Sequence, residues 1–337
     1  MPLFKHISYV PAFIVWIGLT GCIHTYPSPE EAIDPTEIEA TLLLRLDEEW
    51  AGKDFIFQET KGYQFLHDTR ADRWPRRIYA EIKESSGKRH SFSTVAMPEE
   101  IVEGSYRLEL PFKLKADSYI ATLWADCLDP TTLQPLGYDI SNTSLIKELA
   151  QRGEESDRRT CVTAIQEIDL RHLAGEWDSK VEQEITLTTP MARFRLIADD
   201  YQEFLQETEE VRRRGEKYQV TVEYNSEIPG GFSLLDGEAM DPVNGRSFSS
   251  PLTILTFPGI EMSIGSDWLF NPPGEYMHTV TVTVFNSAKA IVSQTPGITF
   301  PMQRGHITTV KGKMLTNFIK GGIQIDNIWA GEIIIEI

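Results

Sequence analysis

The chain has 337 residues, a length that predicts two domains, and its 41% hydrophobic and 24% charged residues exclude wholesale disorder. Its 32 Lys and Arg against 50 Asp and Glu give a net charge of -18, which argues against duplex nucleic acid and anionic lipid headgroups as partners. Three cysteines are too few for a disulfide scaffold.

Residues 1–21 have the features of a secretion signal. Lys5 precedes an apolar run over 7–19 that is too short for a stable membrane span. The run ends in Leu19-Thr20-Gly21-Cys22, which resembles a bacterial lipobox, where cleavage precedes a cysteine that receives diacylglycerol. We therefore predict lipidation at Cys22 and a lipid anchor as the membrane attachment. The alternatives are an ordinary signal peptide or a buried helix.

Residues 22–40 are predicted to be a solvated tether. Pro27, Pro29 and Pro35 oppose regular structure, and acidic side chains are frequent between them.

From residue 41 onward, apolar and polar residues alternate with period two, which predicts β-strands. Clusters such as Pro229-Gly230-Gly231 separate the runs and are predicted to be turns. Many short strands with such turns favour antiparallel sandwiches with one solvated face per sheet. The predicted strands are 41–47, 78–83, 106–110, 119–126, 185–189, 191–198, 218–224, 278–285, 307–315 and 332–337.

Helical spacing of apolar residues predicts helices over 143–152 and 200–214, and a short helix near 170–174. The strand pattern restarts after a charged, irregular stretch. We therefore predict an N-terminal sandwich over 41–180 and a C-terminal sandwich over 181–337.

Standard catalytic and metal-binding motifs are missing from the sequence, and its seven histidines are dispersed. Asp199, Asp200 and Glu203 could suggest calcium, but a helix N-cap with an acidic first turn explains them better. We therefore predict no cofactor, no metal and no enzymatic activity. An enzyme with residues scattered along the sequence is the remaining catalytic hypothesis.

Cys127 and Cys161 could form a disulfide, which the loop-entropy model values at about 3.8 kcal/mol for a loop of that length. The alternative is that Cys127 serves as an apolar residue at the end of a strand. A basic cluster of Arg70, Arg73, Arg76 and Arg77 with Trp74 could bind an acidic partner, although a solvated strand edge is the preferred interpretation.

The segments 124–126, 190–200, 220–224, 229–232 with Gly237, 300–309 and 312–316 form a recognisable set. Together they resemble segments of the fimbrillin-associated anchor and tip lipoproteins of Bacteroidetes, the accessory subunits of type V pili. The resemblance implies two tandem transthyretin-like β-sandwiches, attachment to the outer membrane at the cell surface, and fimbrial subunits as partners. It also nominates Arg45 as a proteolytic trimming site, against which a buried first strand is the preferred alternative.

The last residues alternate Ile333, Ile335 and Ile337 with other side chains, as a donor strand for strand addition would. An ordinary final strand has the same pattern and is preferred.

These observations predict a non-catalytic accessory subunit, anchor or tip, of a fimbria or related adhesive assembly. The alternative is a surface lipoprotein that binds glycans or proteins in nutrient uptake. Its aromatic platform would use Trp74, Trp268, Trp329 or Tyr276.

Overall fold

The computed structural model describes residues 37–46, 74–149, 159–176, 179–252 and 262–316, together with the backbone of 324–326 and 332–336. The following predicted features lie outside the described residues: the signal segment, Cys22, residues 22–36 of the tether, Arg70, Arg73, Trp329 and Ile337.

The described chain is built from β-strands with two short helices, and the predicted all-β fold is confirmed. The strands of the first half are β1 (Glu37–Leu46), β2 (Arg76–Glu84), β3 (Arg89–Ala96), β4 (Ser105–Glu109), β5 (Leu114–Lys115), β6 (Ser118–Cys127), β7 (Tyr138–Asp139), β8 (Ile146–Glu148), β9 (Cys161–Asp169) and β10 (Lys180–Leu187). The elements of the second half are β11 (Met191–Ala198), α1 (Tyr201–Glu207), α2 (Glu209–Arg213), β12 (Tyr218–Tyr224), β13 (Ile228–Ser233), β14 (Glu238–Val243), β15 (Ser247–Pro251), β16 (Met262–Phe270), β17 (Glu275–Asn286), β18 (Ile291–Gln303), β19 (Ile307–Gly312), β20 (Gln324–Asp326) and β21 (Glu332–Glu336).

The first sandwich packs a sheet of order β10-β1-β4, with β5 also paired to β1, against a sheet of order β3-β2-β6-β9. Ile38, Leu42 and Leu44 of β1 are buried in the core that the two sheets share with Ile82 and Leu123. Alternate residues of β1 point into this core, as period-two patterning requires. The alternation already begins at Ile38, so β1 takes the last four residues of the predicted tether.

The second sandwich packs a sheet of order β16-β11-β19-β21-β20 against one of order β15-β12-β17-β18. Its core joins Phe194 of β11 to Val220 and Val222 of β12 and to Val280 and Val282 of β17. The pairs β1–β10, β11–β19 and β19–β21 are parallel, although the sequence predicted antiparallel neighbours. Each of these partners is brought in by a long connection, which a parallel pair requires.

Strand β10 belongs to the first core, since Ile185 and Leu187 are buried there. Its pairing with β1 runs from Glu39 opposite Lys180 to Leu46 opposite Leu187. The break between the two cores therefore falls after Leu187, a few residues beyond the predicted start of the second domain at 181.

The predicted helix over 143–152 is wrong where the structure describes it. Ile146 is buried within β8 and pairs with Phe232 of β13, so tertiary packing overrides the helical spacing of three apolar residues. The helix over 200–214 is present as α1 and α2, and the short helix near 170–174 is a 3-10 turn at Arg171–Leu173.

Asp200 stands at the N-cap position of α1, but its carboxylate makes no cap bond to that helix. It accepts hydrogen bonds from the backbone N–H groups of Met314 (3.2 Å), Leu315 (2.9 Å) and Thr316 (2.8 Å), and from the Thr316 hydroxyl (2.9 Å). The carboxylate thus holds the chain after β19 against the start of α1.

We expect Asp200→Ala to lower the free energy of unfolding by about 1–3 kcal/mol, because it strands buried N–H donors. Urea denaturation measures this, and Glu207→Ala, at an exposed position of α1, is the control. Equal stability of the two variants would refute the structural role of Asp200.

Candidate functional site at the junction of the sandwiches

A third sheet, of order β14-β13-β8-β7, is shared by the two halves of the chain. Strands β7 and β8 come from the first half, and β13 and β14 come from the second. Phe232 pairs with Ile146 and Gly231 with Lys147, so the two sandwiches are joined by main-chain pairing as well as by side chains.

Two glycines let β13 fit between its neighbours. A Cβ at Gly231 would lie 2.6 Å from the Ile146 carbonyl oxygen, and one at Gly230 would lie 2.8 Å from a Val243 methyl carbon. The prediction of a turn at Pro229-Gly230-Gly231 is therefore wrong. The glycines lie inside a strand because the shared sheet needs a close backbone approach there.

The shared sheet covers an aromatic cluster at the junction. Trp124 lies with its ring centroid 5.3 Å from Tyr138, 6.0 Å from Phe232 and 6.4 Å from Phe270. Trp124 stands on the outer face of β6 and is fully buried. The expected solvated face is therefore absent at this part of β6, because the second half of the chain packs onto it.

Arg159 forms a buried ion-pair network across the junction. Its Nη1 donates to Asp267 Oδ1 at 2.7 Å, and its Nη2 donates to Glu148 of β8. The Tyr224 hydroxyl donates to the other oxygen of Asp267 at 2.8 Å. Burial by itself lowers the pKa of the Arg159 guanidinium, but Asp267 and Glu148 outweigh it and raise that pKa.

No local feature of the sequence indicates this network. Arg159 ends a charged stretch that looks like a linker, and Asp267 lies at a buried position in a strand. The network joins residues from separate parts of the sequence, Glu148, Arg159 and Asp267, so their contact in the fold could not be predicted from local patterns.

The prediction of a solvated basic strand edge is wrong for the described members of the cluster. Arg76 is only 2% exposed and donates to Cys127 Sγ at 2.6 Å. Arg77 pairs with the fully buried Asp126 through bonds of 3.0 and 2.5 Å. Burial raises the pKa of the Asp126 carboxyl, although Arg77 opposes that rise.

Cys127 and Cys161 are both free and buried in the structure. Burial raises the pKa of each thiol, which favours the protonated form. Cys127 is the last residue of β6, and its Sγ accepts the hydrogen bond from Arg76.

The candidate strands for assembly lie within sheets. Strand β21 pairs in parallel with β19, with Ile333 opposite Thr308 and Ile335 opposite Val310. Arg45 lies in β1 between β10 and β4, and its side chain pairs with Glu184 at 2.5 Å.

Within the described ranges, no three His, Cys, Asp or Glu side chains are grouped so that they could hold a metal ion. No helix in the same ranges is long and apolar enough to cross a bilayer.

The model of a family described as a family of unknown function, DUF6562, matches residues 33–337 of the chain. A comparison with curated proteins finds no match.

Solved structures with a similar fold come from Bacteroidetes. A candidate polysaccharide-binding protein of Bacteroides thetaiotaomicron has 12% identity and a TM-score of 0.44, with 77% of this chain and 80% of that chain covered. A candidate cell adhesion protein of Parabacteroides distasonis has 12% identity and a TM-score of 0.44, with 80% and 86% covered. The fimbrial anchor protein Mfa2 of Porphyromonas gingivalis has 12% identity and a TM-score of 0.36, with 77% and 82% covered. At these TM-scores, the fold assignment rests on the strand pairing of the chain itself.

We expect Gly231→Ala to destabilise the protein by about 1–3 kcal/mol, because the new Cβ collides with the backbone of β8. Denaturant titration gives the stability, and limited proteolysis reports separation of the halves. Gly87→Ala, where φ is +88° and nothing lies within 4 Å of the added Cβ, controls for backbone strain alone. A junction as protease-resistant as in wild type would contradict the expected collision.

We expect Arg159→Leu to destabilise the protein by about 3–5 kcal/mol, because it strands buried carboxylates. The loss should shrink as the pH falls, since an unpaired buried carboxyl has a raised pKa and folding then favours its protonated form. Urea titrations at several pH values measure both effects.

The matched control is Arg171→Leu, which breaks the exposed pair with Asp169 and should change little. A pH-independent loss at Arg159 would argue against stranded carboxylates as the cause.

Proposed function

The chain belongs to the DUF6562 family of unknown function, and we propose that it is a non-catalytic structural subunit of a cell-surface assembly. In this proposal it is an accessory subunit, anchor or tip, of a fimbria or related adhesive assembly. A lipid on Cys22 holds it at the outer membrane.

The junction is the single observation that carries the proposal. A shared sheet, an aromatic cluster and a buried ion pair make the two sandwiches one continuous body. Such a body passes a load from one end to the other. Two ion pairs with buried carboxylates lie at the junction, Arg159 with Asp267 and Arg77 with Asp126.

Sequence features support the anchor. The lipobox at Leu19-Thr20-Gly21-Cys22 comes after an apolar run and before an acidic, proline-containing segment. Two or three acyl chains on a cysteine give stable attachment, whereas one chain gives only marginal binding.

An edge strand supports a protein partner that binds by strand addition. Among the described residues, strand β3 lies at one edge of its sheet, with β2 as its neighbour, and it contains no proline. An incoming strand pairs with such an edge through main-chain hydrogen bonds. Fimbrial subunits are the proposed partners.

We expect Cys22→Ala to move the protein from the membrane fraction to the soluble fraction of the source bacterium, because the lipid would be lost. Immunoblotting of the fractions measures this. Cys127→Ala, which removes a buried thiol, is the matched control and should stay with the membrane. A Cys22→Ala protein that still sediments with membranes would refute the anchor.

The structural role itself is tested by gentle shearing of surface filaments and purification of the tagged protein from them. Filament subunits should co-purify with the wild type and not with Cys22→Ala. Wild-type protein that never accompanies filament subunits would contradict the accessory role.

The glycan-binding alternative finds less support in the described residues. Trp268 is 7% exposed and lies under Arg193, whose guanidinium carbon is 5.4 Å from the ring centroid. Trp74 is half-buried, and Tyr276 is 44% exposed. Glycan-array binding that Tyr276→Ala abolishes would favour this alternative.

A further inference from the structure

Strand β1 begins at the end of the first sandwich that lies farthest from the junction. Glu37 pairs with Lys115 there, and β10 begins beside it at Lys180. Both strands then run toward the junction, where Leu46 lies opposite Leu187. Cys22 precedes this strand in sequence, so a pull from a lipid on Cys22 reaches the described part of the fold at Glu37.

The second sandwich lies on the other side of the junction from the start of β1. Strand β11 leaves the junction at Met191, and β17 runs from the junction at Glu275 to a turn at 287–290. Asn286 pairs with Tyr218, which follows the helices at the outer end of the second sandwich. A load between the lipid and a partner at the outer end of the second sandwich therefore acts along β1, whereas a partner strand bound only to β3 in the first sandwich would not load β1 through the junction.

We propose that β1 is a shear clamp, a strand placed so that pulling on the N-terminal anchor loads its hydrogen bonds all at once instead of one after another. The proposal rests on the proposed function, because the load comes from the anchor.

The clamp has a neighbouring strand on each side. Strand β10 pairs with β1 from Glu39 to Leu46, and β4 pairs with β1 from Thr41 to Arg45. Force along the strand axis must break both ladders together, whereas force across the strand peels them from one end.

Side chains oppose sliding of β1. Ile38, Leu42 and Leu44 are all 0% exposed and point into the core. If β1 moved by one residue relative to its neighbouring strands, the polar residues next to these three would face the core. Sliding of β1 therefore passes through arrangements of high free energy.

Ion pairs across the strand add to this resistance. Glu39 pairs with Lys180 at 2.8 Å and Arg45 pairs with Glu184 at 2.5 Å, which links both ends of β1 to β10. These pairs are exposed, so we assign the larger share of the resistance to the ladders and the core.

The test pulls the unlipidated chain, residues 23–337, in two directions by single-molecule force spectroscopy. One handle is an N-terminal tag, and the other is a single cysteine that replaces either Ala288 or Ser86, both exposed turn residues. The native Cys127 and Cys161 are buried and do not compete for attachment.

The two handles differ in direction. Ala288 lies at the outer end of the second sandwich, so its handle loads β1 along the strand. Ser86 lies in the β2–β3 turn, which follows Glu84 opposite Tyr119, at the same end as the start of β1. Its handle therefore pulls across the sandwich. We expect a higher unfolding force with the Ala288→Cys handle.

Proline variants of β10 locate the clamp. The Glu39 N–H donates to the Ser179 carbonyl, and by the parallel pattern the Gln183 N–H points at β1 whereas the Thr186 N–H points away. With the Ala288→Cys handle, Gln183→Pro should lower the unfolding force below that of Thr186→Pro. With the Ser86→Cys handle, the two proline variants should unfold at similar forces. Thr186→Pro is the matched control for proline in this strand.

Equal forces in the two directions, or an equal loss in both for Gln183→Pro, would overturn the clamp. The Cys22→Ala fractionation tests the anchor separately. If fractionation shows no lipid anchor but the unfolding force still depends on the pulling direction, the proposed attachment is refuted and the mechanical property of β1 stands.

Discussion

The ion pair between Arg159 and Asp267 is the contact on which the relation between the two sandwiches depends. A buried guanidinium and a buried carboxylate are each costly alone, and together they are tolerated only in good geometry with further hydrogen bonds. Glu148 and Tyr224 supply those bonds. This requirement fixes the relative positions of three parts of the chain: β8, β16 and the segment that precedes β9. An apolar interface alone would define those positions less sharply.

Main-chain pairing around that contact also fixes the two sandwiches relative to each other. A sheet that takes strands from both halves cannot form unless both halves are present and correctly placed. Gly231 permits the approach of β13 to β8, and Trp124 fills the space beneath it. The two cores are separate, but the backbone pairing between the two halves is continuous.

The sequence predicted ten of the 21 described strands. These are the strands in which period-two alternation reports directly on a half-buried surface. Strands β11 and β12 match their predicted bounds, and the buried Val280, Val282 and Val284 of β17 lie on one face as predicted. Several failures concern residues whose partners are distant in sequence. The spacing in 143–152 is helical, yet pairing with β13 makes Ile146 part of a strand. Arg76 and Arg77 look solvated until their partners Cys127 and Asp126 come from another strand. Nothing in the local sequence indicates that Arg159 is buried, since a single arginine in a charged stretch is usually exposed.

The parallel placement of β1 beside β10 has a consequence for how the protein is made. Strand β1 cannot pair with β10 until the intervening chain has been synthesised, so the sheet stays incomplete until then. Long-range pairing of this kind slows folding and leaves one side of an apolar strand unpaired in the meantime. Chains in which β1 has not yet paired with β10 are therefore the ones most prone to aggregate.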